Sequence, residues 1–168
     1  ASLAPSEMCI RDRHDVAAKV EQLSQDAEIV FGSHLRQDFK IQVQNTETSA
    51  CYPPTVLLCK APAQAENIHK IEAFGPVVTL ISYTDLAQLA DLVARGEGSL
   101  VASIVRNTDE NIEQLLSKIA PWHGRVHILD AESAKESTGH GSPLPLLVHG
   151  GPGRALSLIH ISDGAREA

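Results

Sequence analysis

The apolar positions of the first third of the chain change from a helical to an extended spacing. Residues 14–27 form the helical part, in which the apolar positions recur every four or three residues: Val16, Val20 and Leu23. This spacing predicts an amphipathic helix. The apolar run at 28–31 then predicts a short strand that ends at Gly32. Residues 33–50 are polar and weakly patterned, which is typical of a surface loop or hairpin.

Two further strands are predicted from apolar runs in the middle of the chain. Thr55–Leu58 follows Pro53 and Pro54, and this position fits a strand because prolines are tolerated at a strand's start. Val77–Ile81 is rich in β-branched residues and predicts a buried strand. Cys51 and Cys59 flank the first of these runs. Their neighbours do not supply both the base and the electropositive setting that a nucleophilic cysteine needs, so we interpret both as packing residues.

A carboxylate and an aromatic ring stand directly before the strand at 77–81. Glu72 and Phe74 are two residues apart, so on an extended backbone their side chains project from the same side. Gly75 allows another group to approach the backbone closely, and Pro76 fixes a turn. This arrangement suggests a ligand site. The alternative interpretation is that the carboxylate is a solvated loop residue or a helix cap and that the phenylalanine belongs to the core.

The second half of the chain predicts helices that alternate with strands. Asp85, with Thr84, is an N-cap for a helix that stops at Gly96, and its apolar face is Leu86, Leu89, Ala90 and Val93. Strands are predicted at 100–105 and 125–129. The helix between them has Asn107 or Thr108 as its cap, Pro121 at its end, and an apolar stripe of Ile112, Leu115, Leu116 and Ile119.

Alternating strands and helices of this kind predict an α/β fold, a mostly parallel sheet with flanking helices on both faces. Parallel neighbours joined by a helix require right-handed crossovers. Ligands in such sheets gather at the carboxyl ends of strands, whereas the Glu72–Pro76 stretch precedes its strand. Position in the fold therefore does not by itself predict a site at Glu72 and Phe74.

Charge and composition narrow the classes of function. The 168 residues carry a net charge of -7, which argues against nucleic acid or an anionic membrane as the main partner. The chain lacks a run of 18 apolar residues and the layout of a secretion signal, and its three cysteines form no metal or disulfide pattern. We therefore expect a protein of the cytoplasm.

Other candidate residues have a structural interpretation that we prefer. His123 and His127 have the spacing of metal ligands on a helix, but they fall in a predicted strand, where positions four apart lie too far from each other. Asp130, Ser137 and His140 supply the residue types of a hydrolase triad without the Gly-x-Ser-x-Gly turn that would expose a nucleophile. We therefore assign no metal site and no catalytic residue to the chain.

Both ends of the chain differ from the rest. Residues 1–13 have no convincing apolar period and do not lead into the helix that follows, and residues 155–168 have the same character. We interpret them as a non-native leader and tail, so that residues 14–154 carry the fold.

Three separate motifs resemble the second half of the catalytic domain in the aldehyde dehydrogenase superfamily. They are Glu72-Ala-Phe-Gly-Pro-Val, Gly98-Ser-Leu-Val-Ala-Ser-Ile-Val and Gly124-Arg-Val-His-Ile. A further stretch, from Ser133 to Pro145 and from Val148 to Arg154, resembles more narrowly the branch that acts in phenylacetate degradation, in which a semialdehyde dehydrogenase is joined to an oxepin-CoA hydrolase.

The resemblance implies a role for each residue of the first motif. Glu72 would accept hydrogen bonds from the hydroxyls of the nicotinamide ribose, and Phe74 would pack beside that ribose, with NAD or NADP as the cofactor. The implied substrate is a small aldehyde, in the narrower branch a CoA-linked semialdehyde, and the implied assembly is a homo-oligomer. Leu144 stands where the superfamily usually has an aromatic residue, so an aromatic-lined aldehyde tunnel is not expected.

The superfamily's nucleophilic cysteine and general base lie farther upstream of this motif than the chain extends. Neither Cys51 nor Cys59 can replace that cysteine, so we expect an internal fragment that is inactive alone. Two alternatives stay open: an acyl-CoA-forming member of the same superfamily, and a non-catalytic α/β binding or assembly module.

Overall fold

The computed structural model describes residues 5–32, 52–107, 111–135 and 150–155. These residues fall into two compact units, Ala1–Ser82 and Tyr83–Ala168, which we call the first and second units. Each has its own sheet and its own buried core.

The first unit is built on a three-stranded sheet of order β1-β2-β3. Its elements are α1 (Pro5–Leu23), β1 (Glu28–Phe31), β2 (Thr55–Cys59), α2 (Asn67–Lys70) and β3 (Val77–Ile81). β1 pairs with β2 antiparallel, and β2 pairs with β3 parallel and in register from Thr55↔Val77 to Cys59↔Ile81. The predicted strands are confirmed, and the predicted helix at 14–27 is confirmed as the longer α1, which begins at Pro5 and ends at Leu23.

The core of the first unit lies between α1 and one face of its sheet. Leu57 and Cys59 are fully buried there, together with Leu23 of α1. The prediction that β3 is buried was wrong for two of its five residues, since Val78 and Leu80 are each 50% exposed. Successive strand residues point to opposite faces of a sheet, and only the face toward α1 is covered by the described core.

The second unit contains two parallel strands and two helices that pack on them. Its elements are α3 (Leu86–Arg95), β4 (Ser99–Val105), α4 (Glu113–Ile119), a 3₁₀ turn (Ala120–Trp122), β5 (His123–Leu129) and a second 3₁₀ turn (Ser133–Lys135). Asp85 caps α3 as predicted, its Oδ1 accepting a hydrogen bond from Gln88 N at 2.8 Å. The apolar faces of the two helices meet, with Ala90, Leu115 and Ile119 buried among the residues of the core.

The start of α4 differs from the prediction. Asn107 lies outside the helix, Thr108 lies outside the described residues, and the helix begins at Glu113. Asn111 takes part instead, because its Oδ1 accepts a hydrogen bond from Glu113 N at 3.0 Å. Asparagine can cap a helix wherever its side chain can accept a hydrogen bond from a free N–H. The sequence alone therefore offered several equivalent first residues for α4.

The α/β class with mostly parallel strands is confirmed, since β2–β3 and β4–β5 both pair parallel. The expectation that the strands at 77–81, 100–105 and 125–129 share one sheet was wrong for the described residues: β3 pairs with β2, and β4 pairs with β5 in a separate sheet. An apolar run predicts that a strand exists, but its pairing partner is fixed by contacts distant in sequence.

Residues 150–155 return to the amino ends of β4 and β5. Arg154 N donates a hydrogen bond to Glu97 O at 2.9 Å. A Cβ on Gly98, whose φ is +123°, would meet Pro152 O at 2.1 Å, so only glycine fits at this crossing. The end of the glycine-rich stretch is therefore packed against the sheet of the second unit. The intervening residues 136–149 lie outside the described part of the chain.

Across the described ranges, no helix combines the length and the apolar character needed to cross a membrane.

Candidate functional site

The turn that carries Glu72 and Phe74 is fixed by short-range backbone hydrogen bonds. Gly75 N donates to Ala73 O at 2.8 Å and Val77 N donates to Gly75 O at 2.7 Å, so two tight turns follow one another. Thr55 N donates to Pro76 O at 2.9 Å, which ties the end of the turn to the first residue of β2. We call residues 71–76 the site turn.

The site turn borders a cavity of about 590 Å³ that lies within the first unit. Glu72 and Phe74 both line this cavity, as does Ala73 between them. That the side chains of Glu72 and Phe74 project from the same side stays a prediction. The rest of its wall is mainly apolar and includes Leu23, Ile71, Ala73 and Val77. The cavity therefore combines one carboxylate, one aromatic ring and a mainly apolar wall.

Both predicted site residues are exposed. The side chain of Phe74 is 82% exposed, the largest value among the exposed large apolar residues of the described chain, and Glu72 also faces solvent. The alternative of a core phenylalanine is therefore wrong. An exposed aromatic ring at the rim of a cavity provides apolar surface for a ligand, and a carboxylate is an acceptor-only group that can bind two hydroxyls.

The upstream end of the site turn is held by a residue that the sequence interpretation missed. Asp26, three residues after α1, accepts hydrogen bonds through Oδ2 from Glu66 N at 2.8 Å and from Asn67 N. Asn67 also donates from Nδ2 to Gln22 O at 3.2 Å. Together these bonds join the end of α1 to the start of α2, which leads directly into the site turn.

The downstream end of the site turn packs on α1. A Cβ on Gly75 would lie 2.7 Å from Cγ2 of Val16, a buried α1 residue that is 4% exposed. The prediction that Gly75 permits a close approach is confirmed, and the approaching group is the side chain of Val16. The helical period identified Val16 as a core residue, but nothing in the sequence paired it with Gly75.

The other candidate residues have structural partners. Cys59 is fully buried in the core of the first unit, and His123 lies on β5 with Nδ1 2.8 Å from Ile119 O. His127 lies on the same strand, so the predicted extended setting of the pair is confirmed. Cys51, Ser137 and His140 lie outside the described residues.

Asp130 is occupied by contacts around the end of β5. Its Oδ1 accepts hydrogen bonds from Ser133 N at 2.9 Å and from Glu132 N at 3.1 Å, and its Oδ2 lies 3.8 Å from an Arg106 guanidinium nitrogen. Chiefly through the hydrogen bonds with Ser133, and to a smaller extent through Arg106, these neighbours hold the pKa of Asp130 below its usual value. This carboxylate therefore fixes a turn.

Within the described ranges, His, Cys, Asp and Glu side chains do not assemble in a group of three or more that could hold a metal ion.

Comparison with known proteins agrees with the fold. Residues 10–141 match the aldehyde dehydrogenase family, and the chain belongs to that family. It is 41% identical over 144 residues to Protein MaoC of Klebsiella aerogenes, which covers 85% of this chain and 41% of that protein. It is 38% identical over 131 residues to 3,4-dehydroadipyl-CoA semialdehyde dehydrogenase of Aromatoleum evansii, covering 78% of this chain and 25% of the relative.

Solved structures show the same fold at low sequence identity. An aldehyde dehydrogenase from Pseudomonas syringae, solved with NAD⁺ and octanal, matches 86% of this chain and 26% of its own with a TM-score of 0.58 and 22% identity. Succinic semialdehyde dehydrogenase from Streptococcus pyogenes, solved with NADP⁺, matches 88% of this chain and 29% of its own with a TM-score of 0.57 and 21% identity. The chain thus spans less than half the length of each of these four proteins.

Proposed function

We propose that this chain forms the part of an NAD(P)-dependent aldehyde dehydrogenase that holds the nicotinamide ribose. Glu72 accepts hydrogen bonds from the ribose hydroxyls, and Phe74 packs against the sugar. The observation that carries this proposal is that an exposed carboxylate and an exposed ring, two residues apart, line one cavity. Family membership supplies the reaction class.

The residues of the cavity fit a nicotinamide nucleoside. Its volume, about 590 Å³, lies within the range of roughly 300–1,000 Å³ that small-molecule sites occupy. The apolar wall suits a flat ring, and the single carboxylate suits a diol. When bound, the nicotinamide supplies the chemistry of hydride acceptance, while Glu72 and Phe74 bind the sugar and orient it.

The substrate that we propose is a small aldehyde, oxidised to the acid. A CoA-linked semialdehyde of phenylacetate degradation is supported by the relative from Aromatoleum evansii, which is named as a CoA-semialdehyde dehydrogenase. Either NAD or NADP suits the proposal, since fold neighbours hold each of them. The whole enzyme is proposed to act in the cytoplasm as a homo-oligomer.

The nucleophile and the general base are proposed to come from polypeptide outside these 168 residues. Cys59, the last residue of β2, is fully buried in the core of the first unit and cannot reach a substrate. The relatives are also much longer than the chain. We therefore expect that the purified 168-residue chain does not reduce NAD or NADP when mixed with a semialdehyde. Turnover by that chain would contradict the assignment.

The test of the ribose contact is Glu72→Gln in the enzyme encoded by the complete reading frame. The neutral amide loses a charge-assisted acceptor, so we expect KM for NAD or NADP to rise about 10- to 100-fold while KM for the aldehyde stays unchanged. Glu113→Gln, an exposed glutamate at the start of α4, is the matched control. An unchanged cofactor KM in Glu72→Gln would overturn the proposal.

Phe74→Ala tests the second contact. Because the ring is 82% exposed, its removal costs the folded chain little, and the thermal midpoint should stay within about 2 °C of the parent. The cofactor KM should rise about fivefold or more through lost apolar contact. A fall in the thermal midpoint with no change in cofactor KM would instead show a packing role.

A further inference from the structure

We propose that Asp26 and Val16 are positioning residues for the cofactor contact, and this inference rests on the proposed function. Neither lines the cavity; each holds one end of the turn that carries Glu72 and Phe74. The helix α1 and the residues just after it thus fix the conformation of the site turn.

The upstream anchor is the carboxylate of Asp26. It accepts from two consecutive backbone N–H groups, those of Glu66 and Asn67, at the start of α2. A helix of four residues does not persist by itself, because a single turn fixes many dihedral angles for few hydrogen bonds. The conformation of α2, and with it the direction in which the chain enters Ile71 and Glu72, therefore depends on Asp26.

The downstream anchor is Val16, two turns before the end of α1. Its side chain lies against Gly75 so closely that an added Cβ would be 2.7 Å from Cγ2. Val16 and Leu23 are seven residues apart, which places them on one face of α1 about 10 Å apart along its axis. Leu23 lines the cavity, so α1 supplies part of the cavity wall as well as the downstream anchor.

If the site turn is held from both ends, changing either anchor should have a specific effect on the enzyme kinetics. Moving either anchor displaces Glu72 from the ribose, which weakens cofactor binding, and leaves the aldehyde contacts alone. A residue that serves folding only would lower the thermal midpoint and the amount of active enzyme, with KM for the cofactor unchanged. The split between KM for NAD(P) and KM for the aldehyde therefore separates positioning from simple stability.

The first experiment is Asp26→Ala in the enzyme encoded by the complete reading frame. Loss of both hydrogen bonds should raise KM for NAD or NADP about three- to tenfold, with kcat and aldehyde KM unchanged. Asp26→Asn should restore most of the cofactor affinity, since its amide oxygen can accept from the same two N–H groups. The control is Asp91→Ala, an exposed aspartate in the middle of α3.

The second experiment uses Gly75→Ala and its combination with Val16→Ala. The added methyl collides with Val16 and shifts the site turn, so the single variant should raise cofactor KM about fivefold or more. Removing the two Cγ methyl groups of Val16 frees the space, so the double variant should recover at least half of that loss. Additive effects in the two variants would overturn the role of Val16.

Failure of the inference and failure of the proposed function have different outcomes. If Glu72→Gln leaves cofactor KM unchanged, the ribose assignment is wrong. If Glu72→Gln raises cofactor KM and neither Asp26→Ala nor Gly75→Ala does so, the ribose contact stands and the positioning role is wrong. If Asp26→Ala and Asp26→Asn lower the thermal midpoint equally at constant cofactor KM, Asp26 serves folding alone.

Discussion

Both units of the chain are built from helices and strands, but these elements form different features in each unit. In the second unit, two amphipathic helices and two parallel strands enclose a core around Ala90, Leu115 and Ile119. In the first unit, α1 covers one face of a three-stranded sheet, and the site turn emerges beside it. Five of the seven exposed large apolar residues of the described chain belong to the first unit: Val30, Phe31, Phe74, Val78 and Leu80.

This contrast shows where binding surface is available. Apolar side chains that stay exposed after folding mark contact surfaces when they cluster. Val78 and Leu80 pair in register with Val56 and Leu58, so they form one apolar strip on the outer face of the first sheet. The first unit thus carries the candidate site and most of the exposed large apolar residues, whereas in the described part of the second unit Tyr83 and Val105 are the exposed ones.

The largest expected effect tests whether the two cores are separate. Leu57→Ala removes a fully buried side chain from the first core and should lower the free energy of unfolding by about 2–5 kcal/mol. Hydrogen exchange resolved by strand should show lost protection in β2 and retained protection in β4. Equal loss of protection in both strands would contradict the division into two cores.

A smaller effect is expected at the crossing of Gly98 and Pro152 in the second unit. Gly98 has a φ of +123°, and the Cβ of Gly98→Ala would lie 2.1 Å from the carbonyl oxygen of Pro152. We therefore expect the free energy of unfolding to fall by about 2–3 kcal/mol. Urea unfolding followed by the fluorescence of Trp122, the single tryptophan, reports on this unit. Gly96→Ala, at φ -73°, is the matched control and should cost clearly less.

The cap of α3 should contribute less again. Asp85→Ala leaves Gln88 N without its side-chain acceptor and should lower the urea midpoint, by less than Gly98→Ala does. Asp91→Ala changes the same residue type within the helix, where there is no cap, and should be close to neutral. An equal cost for the two variants would mean that the cap does not stabilise the second unit.

The smallest expected effect is the pH dependence of that cap. The hydrogen bond from the backbone of Gln88, with smaller help from Thr84 and Ala87, holds the pKa of Asp85 below its ordinary 3.8. The folded state then binds fewer protons than the unfolded state, so the stabilisation is complete above about pH 5 and is lost as pH falls through the lowered pKa. Asp85→Asn should therefore flatten the fall in stability below about pH 4. An unchanged pH profile would contradict this linkage.

Sequence periodicity predicted the elements well, because helices and strands bury regular stripes of side chains. Glu72 and Phe74 could also be chosen from sequence as the candidate site pair, because a carboxylate and a ring stand two residues apart ahead of a predicted turn. The strand partners could not be predicted from sequence, because the pairing of β3 with β2 and of β4 with β5 depends on contacts distant in sequence. Asp26 was missed for the same reason: its two backbone partners lie forty residues or more downstream.

Hydrogen bonds hold the backbone on both sides of the site turn, so the number of residues between those hydrogen bonds is also constrained. Asp26 holds residues 66 and 67, and Thr55 N holds Pro76 O, so the backbone between them has a fixed span. Insertions or deletions in related sequences should accordingly be tolerated at 60–65, ahead of the hydrogen bonds to Asp26. Between Asn67 and Pro76, even one added residue would displace the carboxylate, and gaps should be absent from that window.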